Sequence, residues 1–222
     1  MESRKIFPSW YGRVEWKRLN SKFIVERLAT RTTTFTKPSS GSRGDHDLNP
    51  EMRSPEYKLT SAAVLVPIVD RPKGLTLLLT RRTDHLRDHA GQVSFPGGRM
   101  EPEDVIPETT ALRETEEEIG LSSERVRLVG RLDRYITRTG YEVVPIVGIV
   151  DPPFTVRADP FEVAEIFEVP LAFMVDPKNH RRHSRLYKGE QRVFYAMPYN
   201  GHYIWGATAG MIVNLSEALG PL

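Results

Sequence analysis

The sequence predicts an α/β fold in which a mixed β-sheet is flanked by helices, and three observations carry that reading. Strand-like and helix-like segments are interspersed without the regular βαβ rhythm of a doubly wound sheet. Hydrophobic residues make up 39% of the 222 positions, enough for one well-buried domain with some chain left over. No run approaches the roughly 18 uninterrupted apolar residues that a membrane helix needs, so no membrane span is expected.

The elements follow in order. Residues 1–44 hold ten Lys and Arg against three acids, although the net charge of the whole chain is only +2. The body is therefore mildly acidic, which argues against a globally basic nucleic-acid binder, and no nucleic-acid partner is expected. The first residues lack the apolar core of a secretory signal. A mitochondrial presequence is basic and rich in Ser and Thr, as this stretch is, but Glu2, Glu15 and Glu26 oppose that reading. An ordinary extension of a cytoplasmic protein is expected, with a mitochondrial location only if residues 1–44 act as a presequence. Cysteine is absent, which removes disulfides, thiolate zinc sites and thiol nucleophiles, and which fits a reducing compartment. The end, Gly220-Pro221-Leu222, is not a peroxisomal tripeptide.

Within the arm, Leu19, Phe23, Ile24 and Leu28 recur at helical spacing and form a stripe suited to docking on the domain. Thr30 to Pro55 is rich in Thr, Ser, Pro and Gly and reads as a linker or a long loop. The chain thus divides into a basic arm and linker, residues 1–57, and a main domain, residues 58–222. In that domain Ala62–Val69 and Gly74–Thr80 read as buried strands around a turn at residues 70–74. A loop punctuated by glycine and proline runs from Gly91 to Asp104, and a helix follows from about Pro107 to Ile119. Val126–Ile136 and Tyr141–Val150 read as strands joined by a tight turn at residues 137–140. Glu162–Met174 reads as helical around Pro170. Strands are expected near Leu186 and over Val193–Tyr199, and Gly206–Leu219 closes the chain as a helix.

One helix breaks a local rule. At about 100° per residue, Glu114, Glu117 and Glu118 share one face, while Leu112 and Ile119 point elsewhere and can anchor the helix. Gly120 stands where a left-handed C-cap would end it. Like charges at these spacings repel by roughly 0.2–0.5 kcal/mol per pair, and carboxylates near a helix C-terminus face the negative end of its dipole. A hard divalent cation held by carboxylate oxygens would offset that cost, and Mg²⁺ or Mn²⁺ suits such ligands. Most Glu runs are simply solvated faces, so the loop upstream matters. Ser94-Phe95-Pro96-Gly97-Gly98 precedes the helix, and paired glycines let a backbone approach a phosphate and present its N–H groups. Together the two segments make a seat for a metal-bound diphosphate.

Gly98 followed by Arg113-Glu114-Thr115-Glu116-Glu117-Glu118-Ile119-Gly120-Leu121 resembles the Nudix box. The spacing from Gly98 is one residue longer than usual, so the upstream acid is open among Glu101, Glu103 and Asp104. Thr115 stands where a larger apolar residue is usual. Leu78-Leu79-Thr80-Arg81-Arg82, then Arg87, Gly91 and Phe95-Pro96-Gly97-Gly98, resembles the signature of the coenzyme A pyrophosphatase branch, with Thr83 as a mild departure. Glu162-Val163, Pro170-Leu171 and Ile204–Ala209 look like the same branch. The likeness covers roughly residues 58–219.

The resemblance implies an α/β/α sandwich around a central mixed sheet, a small-molecule substrate, and hydrolysis of coenzyme A or acyl-CoA to 3′,5′-ADP and 4′-phosphopantetheine. It implies metal ligation by Glu114, Glu117 and Glu118, with Glu117 and Glu118 foremost, and a role for Arg113 in steadying one of those carboxylates. Arg82 and Arg87 are candidates for phosphate contacts, beside the alternative of an exposed basic strand end. Phe95, Gly97 and Gly98 belong to the substrate seat. Glu162 or Glu165 could serve as general base. A homodimer is an expectation by analogy. Rival substrates within the family are ADP-ribose, NADH and dinucleoside polyphosphates, and a non-catalytic nucleotide-binding domain is the rival of another class. His85 and His89 lack an accompanying acidic motif, His180 and His183 sit in a basic run that reads as a solvated loop, and Trp205 reads as core rather than as a stacking platform.

Overall fold

The computed structural model describes residues 19–32, 42–50, 59–86, 88–187 and 189–220. The sheet is organised by β2 (Thr60–Arg71), an almost continuously apolar strand of the kind that is buried on both faces. It runs parallel to β8 (Tyr141–Val150), from Thr60↔Tyr141 to Val69↔Val150. On its other edge it pairs antiparallel, first with β5 (Gly97–Arg99) and then with β3 (Gly74–Arg82). The sheet is therefore mixed, as the interspersed elements predict. β4 (Val93–Ser94) pairs with Thr80 and Arg81 on the same edge of β3 that carries β2, so the expected loop at residues 91–104 contains two short strands.

Alternation along these strands separates two cores. Ala63, Leu65, Leu78 and Ile146 face α2 (Pro107–Ile119) together with its Ala111 and Ile119. Val66, Ile68, Leu77, Leu79 and Val147 face α1 (Ser21–Thr32) and α4 (Gly206–Leu219). This gives the α/β/α sandwich. Ile24 and Leu28 of α1 are buried, with Leu19 and Phe23 packed alongside, so the predicted stripe docks on the domain. Each fully buried branched side chain of this kind contributes roughly 1.5–3 kcal/mol.

Three expectations are corrected. The strand expected over 126–136 is broken into β6 (Val126–Arg131) and β7 (Tyr135–Ile136). Both pair with β8, and the gap falls opposite Pro145, which accepts from Leu132 N but has no N–H to return. Residues 162–174 are mainly not helical. β9 (Val163–Pro170) is a strand on the outer edge of β3, and only α3 (Leu171–Val175) is a helix. Val163, Ile166, Phe167 and Val169 suit a strand, and Pro170 holds Val169 out of the helical region. The basic run at 178–185 is largely β10 (Arg181–Tyr187), not a loop. It is solvated, but it pairs with β11 (Glu190–Tyr199), which pairs in turn with β12 (His202–Trp205) in a separate antiparallel sheet.

Residues 42–50 stitch the two sheets together. β1 (Arg43–Gly44) runs parallel to β7, and Asp45 accepts from Tyr135 Oη at 2.9 Å and from Arg138 N at 2.8 Å. Buried Asn49 donates to Val193 O at 3.0 Å and accepts from Val193 N at 2.9 Å. The expected division at residue 57/58 falls among residues outside those described. Residues 21–32 and 42–44 of the basic stretch are built into the fold, and most of the rest of the presequence reading lies outside the described residues.

Candidate active site

Both ends of α2 are set by the sequence. Pro107 occupies the first turn, where its missing N–H costs nothing, and Gly120 takes the left-handed conformation (φ 65°, ψ 16°) with its N–H on Glu116 O. The backbone N–H groups of Arg157 and Asp159 donate to Ile119 O at 2.7 Å and Glu118 O at 2.8 Å. The loop that satisfies these last carbonyls leads straight into Glu162. Thr83 fixes the same segment from β3: its N–H donates to Glu162 O at 3.0 Å and its hydroxyl to Phe161 O at 2.8 Å. That departure from the motif therefore ties the Glu162 segment to β3, a contact that its place in the sequence did not reveal.

The acid left open upstream of the helix is Asp104. It is buried and accepts from Arg113 Nη2 at 2.8 Å, Thr110 Oγ1 at 2.9 Å and Glu101 N at 3.1 Å. The Arg113 hydrogen bond holds its carboxyl down at about 2 despite burial. Arg113 Nη1 also lies 3.0 Å from both Glu114 Oε1 and Glu117 Oε2. Arg113 lies within ion-pair distance of three carboxylates.

The glutamate face is divided. Glu118 is buried and Glu114 partly so, and both line a cleft of about 1030 Å³. Glu117 is 60% exposed, bonded to Arg113, and is not among the cleft's lining residues. Glu162 lines the cleft. Glu165 does not; it is bonded to Arg81 and His202, which outweigh burial and lower its pKa. Burial pushes Glu118 up to about 8, with Glu162 and Glu114 adding to the rise, while the Gly97 N–H (3.3 Å) and Arg82 oppose it. Burial likewise raises Glu114.

Arg82 Nη1 stands 3.8 Å from Glu118 Oε1 and 4.0 Å from Glu162 Oε2, and its Nε is buried without a partner. Among the described residues no three His, Asp or Glu side chains converge closely enough to define a metal position. The donor set is nonetheless right for a hard cation: carboxylate oxygens, one of them made basic by its burial.

The paired glycines have a reason beyond phosphate. On β5, a Cβ at Gly97 (φ +146°) would meet the backbone of Ala63 and Val64 within 2.4–2.5 Å, and one at Gly98 would meet the Glu114 carboxyl within 2.5–2.6 Å. They let α2 and β2 close on each other. Phe95 is 2% exposed and lines the cleft from the core side, and Gly97 and Gly98 line it too. Arg87 lies outside the described residues. Trp205 is half-buried on the cleft wall with its ring edge-on to Phe194, so the expectation of a core position is corrected: β12 ends on that wall. Arg138, Arg185 and Arg192, which the sequence did not single out, line the same cleft.

The NUDIX domain family profile matches residues 59–188. An uncharacterized Nudix hydrolase, NudL, of Photorhabdus laumondii is 44% identical over 156 residues, 70% of this chain and 83% of that protein. The NudL of Escherichia coli K12, also an uncharacterized Nudix hydrolase, is 39% identical over 173 residues, 78% of this chain and 90% of that protein. A solved MutT protein from Methanosarcina mazei Go1 aligns with a TM-score of 0.44 at 24% identity, covering 55% of this chain and 84% of the other. A domain match over more than half of the chain, with relatives of this identity spanned for most of their length, places it: the chain belongs to the Nudix hydrolase family, and its enzyme class is that of a pyrophosphohydrolase.

Proposed function

We propose that the protein cleaves the diphosphate of coenzyme A or acyl-CoA, giving 3′,5′-ADP and 4′-phosphopantetheine, with Mg²⁺ or Mn²⁺ held by Glu114, Glu117 and Glu118. One observation carries this reading. Arg82, Phe95, Gly97 and Gly98, from the segment that resembles the coenzyme A branch, line one cleft with Glu114 and Glu118 of the box helix. A cation bound there would neutralise diphosphate oxygens and acidify a water.

The protein's own groups do the rest. Asp104 holds Arg113, and Arg113 holds Glu114 and Glu117 in place. Arg82 carries a buried, unpartnered Nε and loosely held Nη groups, which suits a phosphoryl oxygen. Glu162, on the cleft and free of the Arg81–His202 ties that occupy Glu165, is the proposed base. The water oxygen bonds to one phosphorus as the bridging P–O bond breaks, and the water's proton passes to the Glu162 carboxylate.

The test is a substrate panel of CoA, acetyl-CoA, ADP-ribose, NADH and a dinucleoside polyphosphate with Mg²⁺ or Mn²⁺, read by mass detection of products. The expected result is 3′,5′-ADP and phosphopantetheine from CoA, with turnover reduced by at least about a hundredfold in Glu162→Gln. Turnover of ADP-ribose without CoA would discard the substrate.

A further inference from the structure

The cleft has a second charged wall that the reaction at the diphosphate does not use. Arg185 of β10 and Arg192 of β11 are directly opposite across the hairpin, so their side chains share one face. Like charges in that position repel. Both side chains line the cleft, as does Arg138 from the β7–β8 turn.

Among the described residues neither Arg138 nor Arg185 has a carboxylate partner; each lies over an aromatic ring instead. Arg138 sits 4.3 Å from the Tyr187 centroid and Arg185 5.0 Å from that of Trp205. Arg192 is paired with Glu190, yet its Nε is buried with no partner. The helix α4 begins at the same wall. Gly206, Ala207 and Thr208 line the cleft, and no side chain caps that end, so first-turn N–H groups and the positive end of the helix dipole face it.

Three arginines, one with a buried unsatisfied Nε, and an uncapped helix start suit an anion at this wall. Two aromatic rings beside them call for a flat group attached to it. We infer that this wall is a subsite for a phosphorylated nucleoside, in which Arg185 and Arg192 grip a phosphate on the ribose and Trp205 borders the base. The inference rests on the proposed substrate, because coenzyme A bears such a phosphate at the 3′ position in addition to its diphosphate. It explains a repulsive cross-strand pair just as a cation explains the glutamate face: the unfavourable local choice is offset by a bound ion of opposite sign.

The experiment compares kcat/KM for CoA and for 3′-dephospho-CoA in the full-length protein, wild type, Arg185→Gln and Arg192→Gln. In parallel, calorimetry measures binding of adenosine 3′,5′-bisphosphate and 5′-AMP to the same three proteins. The subsite predicts that wild type prefers the 3′-phosphorylated compound in both assays by about tenfold or more, and that each substitution cuts this preference several-fold, chiefly through KM. An equal preference in wild type and variants would overturn it. The two readings fail separately. Hydrolysis of CoA with no discrimination against the dephospho form removes the subsite and leaves the substrate. Arginine-dependent preference for the bisphosphate without CoA hydrolysis keeps the subsite and removes the substrate.

Discussion

Gly97 and Gly98 look alike in the sequence and differ in what their missing side chains make room for. At Gly98 a methyl group would meet the tip of the Glu114 side chain, which can move; at Gly97 it would meet the β2 backbone, which cannot, at a φ of +146°. Gly98→Ala is therefore expected to fold with a melting temperature within a few degrees of wild type while losing at least about tenfold in activity, because Glu114 is displaced. Gly97→Ala is expected to lose stability, by about 2 kcal/mol or more. Thermal unfolding and turnover measured on both variants check the contrast. Equal behaviour of the two would contradict the assigned roles. At this scale the sequence was informative about residue types and poor about partners. Glu114 and Glu118, singled out from the sequence, line one cleft, and Arg113 pairs with Glu114. Asp104 was one of three candidates, and only its burial against Arg113 and Thr110 selects it. The opposed pair Arg185 and Arg192 stayed hidden because cross-strand register is not visible in a run of charges.

Elements were legible where their ends carry their own chemistry. Pro107 and Gly120 bracket α2, and β8 keeps the bounds read from its apolar run. They were illegible where a partner decides. Residues 163–170 extend because the outer edge of β3 takes them, and β6 and β7 separate opposite Pro145. The linker gave the same lesson. Its polar composition conceals Asn49, whose side chain stands in for a strand neighbour of Val193 and donates to Asp45 O at 2.7 Å. Asn49→Ala removes the partner of the part-buried Val193 N–H and C=O. The expected cost is about 2–4 kcal/mol of stability, read from urea unfolding. A change below about 0.5 kcal/mol would show that residues 42–50 lie on the domain without bracing it.

For the whole molecule, stability is tied to pH through groups that fold into unlike surroundings. Burial lowers His180 below its ordinary 6.5, with only partial compensation from its 2.7 Å contact to Met174 O and from Asp176. The unfolded chain takes up a proton below about pH 6.5 that the folded protein refuses, so this residue makes the fold less stable as pH falls through that range. Glu118 acts in the opposite sense when no cation is bound: with its pKa raised to about 8, its contribution is lost as pH rises toward and through 8. The two slopes overlap, so the clean observable is a difference. His180→Gln is expected to become less destabilising relative to wild type between pH 7.5 and 5.5, by up to about 1.4 kcal/mol per pH unit below 6.5. A difference that does not change with pH would contradict the assignment.

The protein as a whole places carboxylates, an arginine with an unpartnered Nε and paired glycines around one cleft, where the box helix is proposed to hold a divalent cation. The most direct test is a calorimetric Mn²⁺ titration of wild type beside Glu118→Gln. Loss of the tightest site, or a weakening of at least about tenfold with the fold intact by circular dichroism, is the predicted result. Unchanged Mn²⁺ affinity in the variant would place the metal elsewhere and contradict the site.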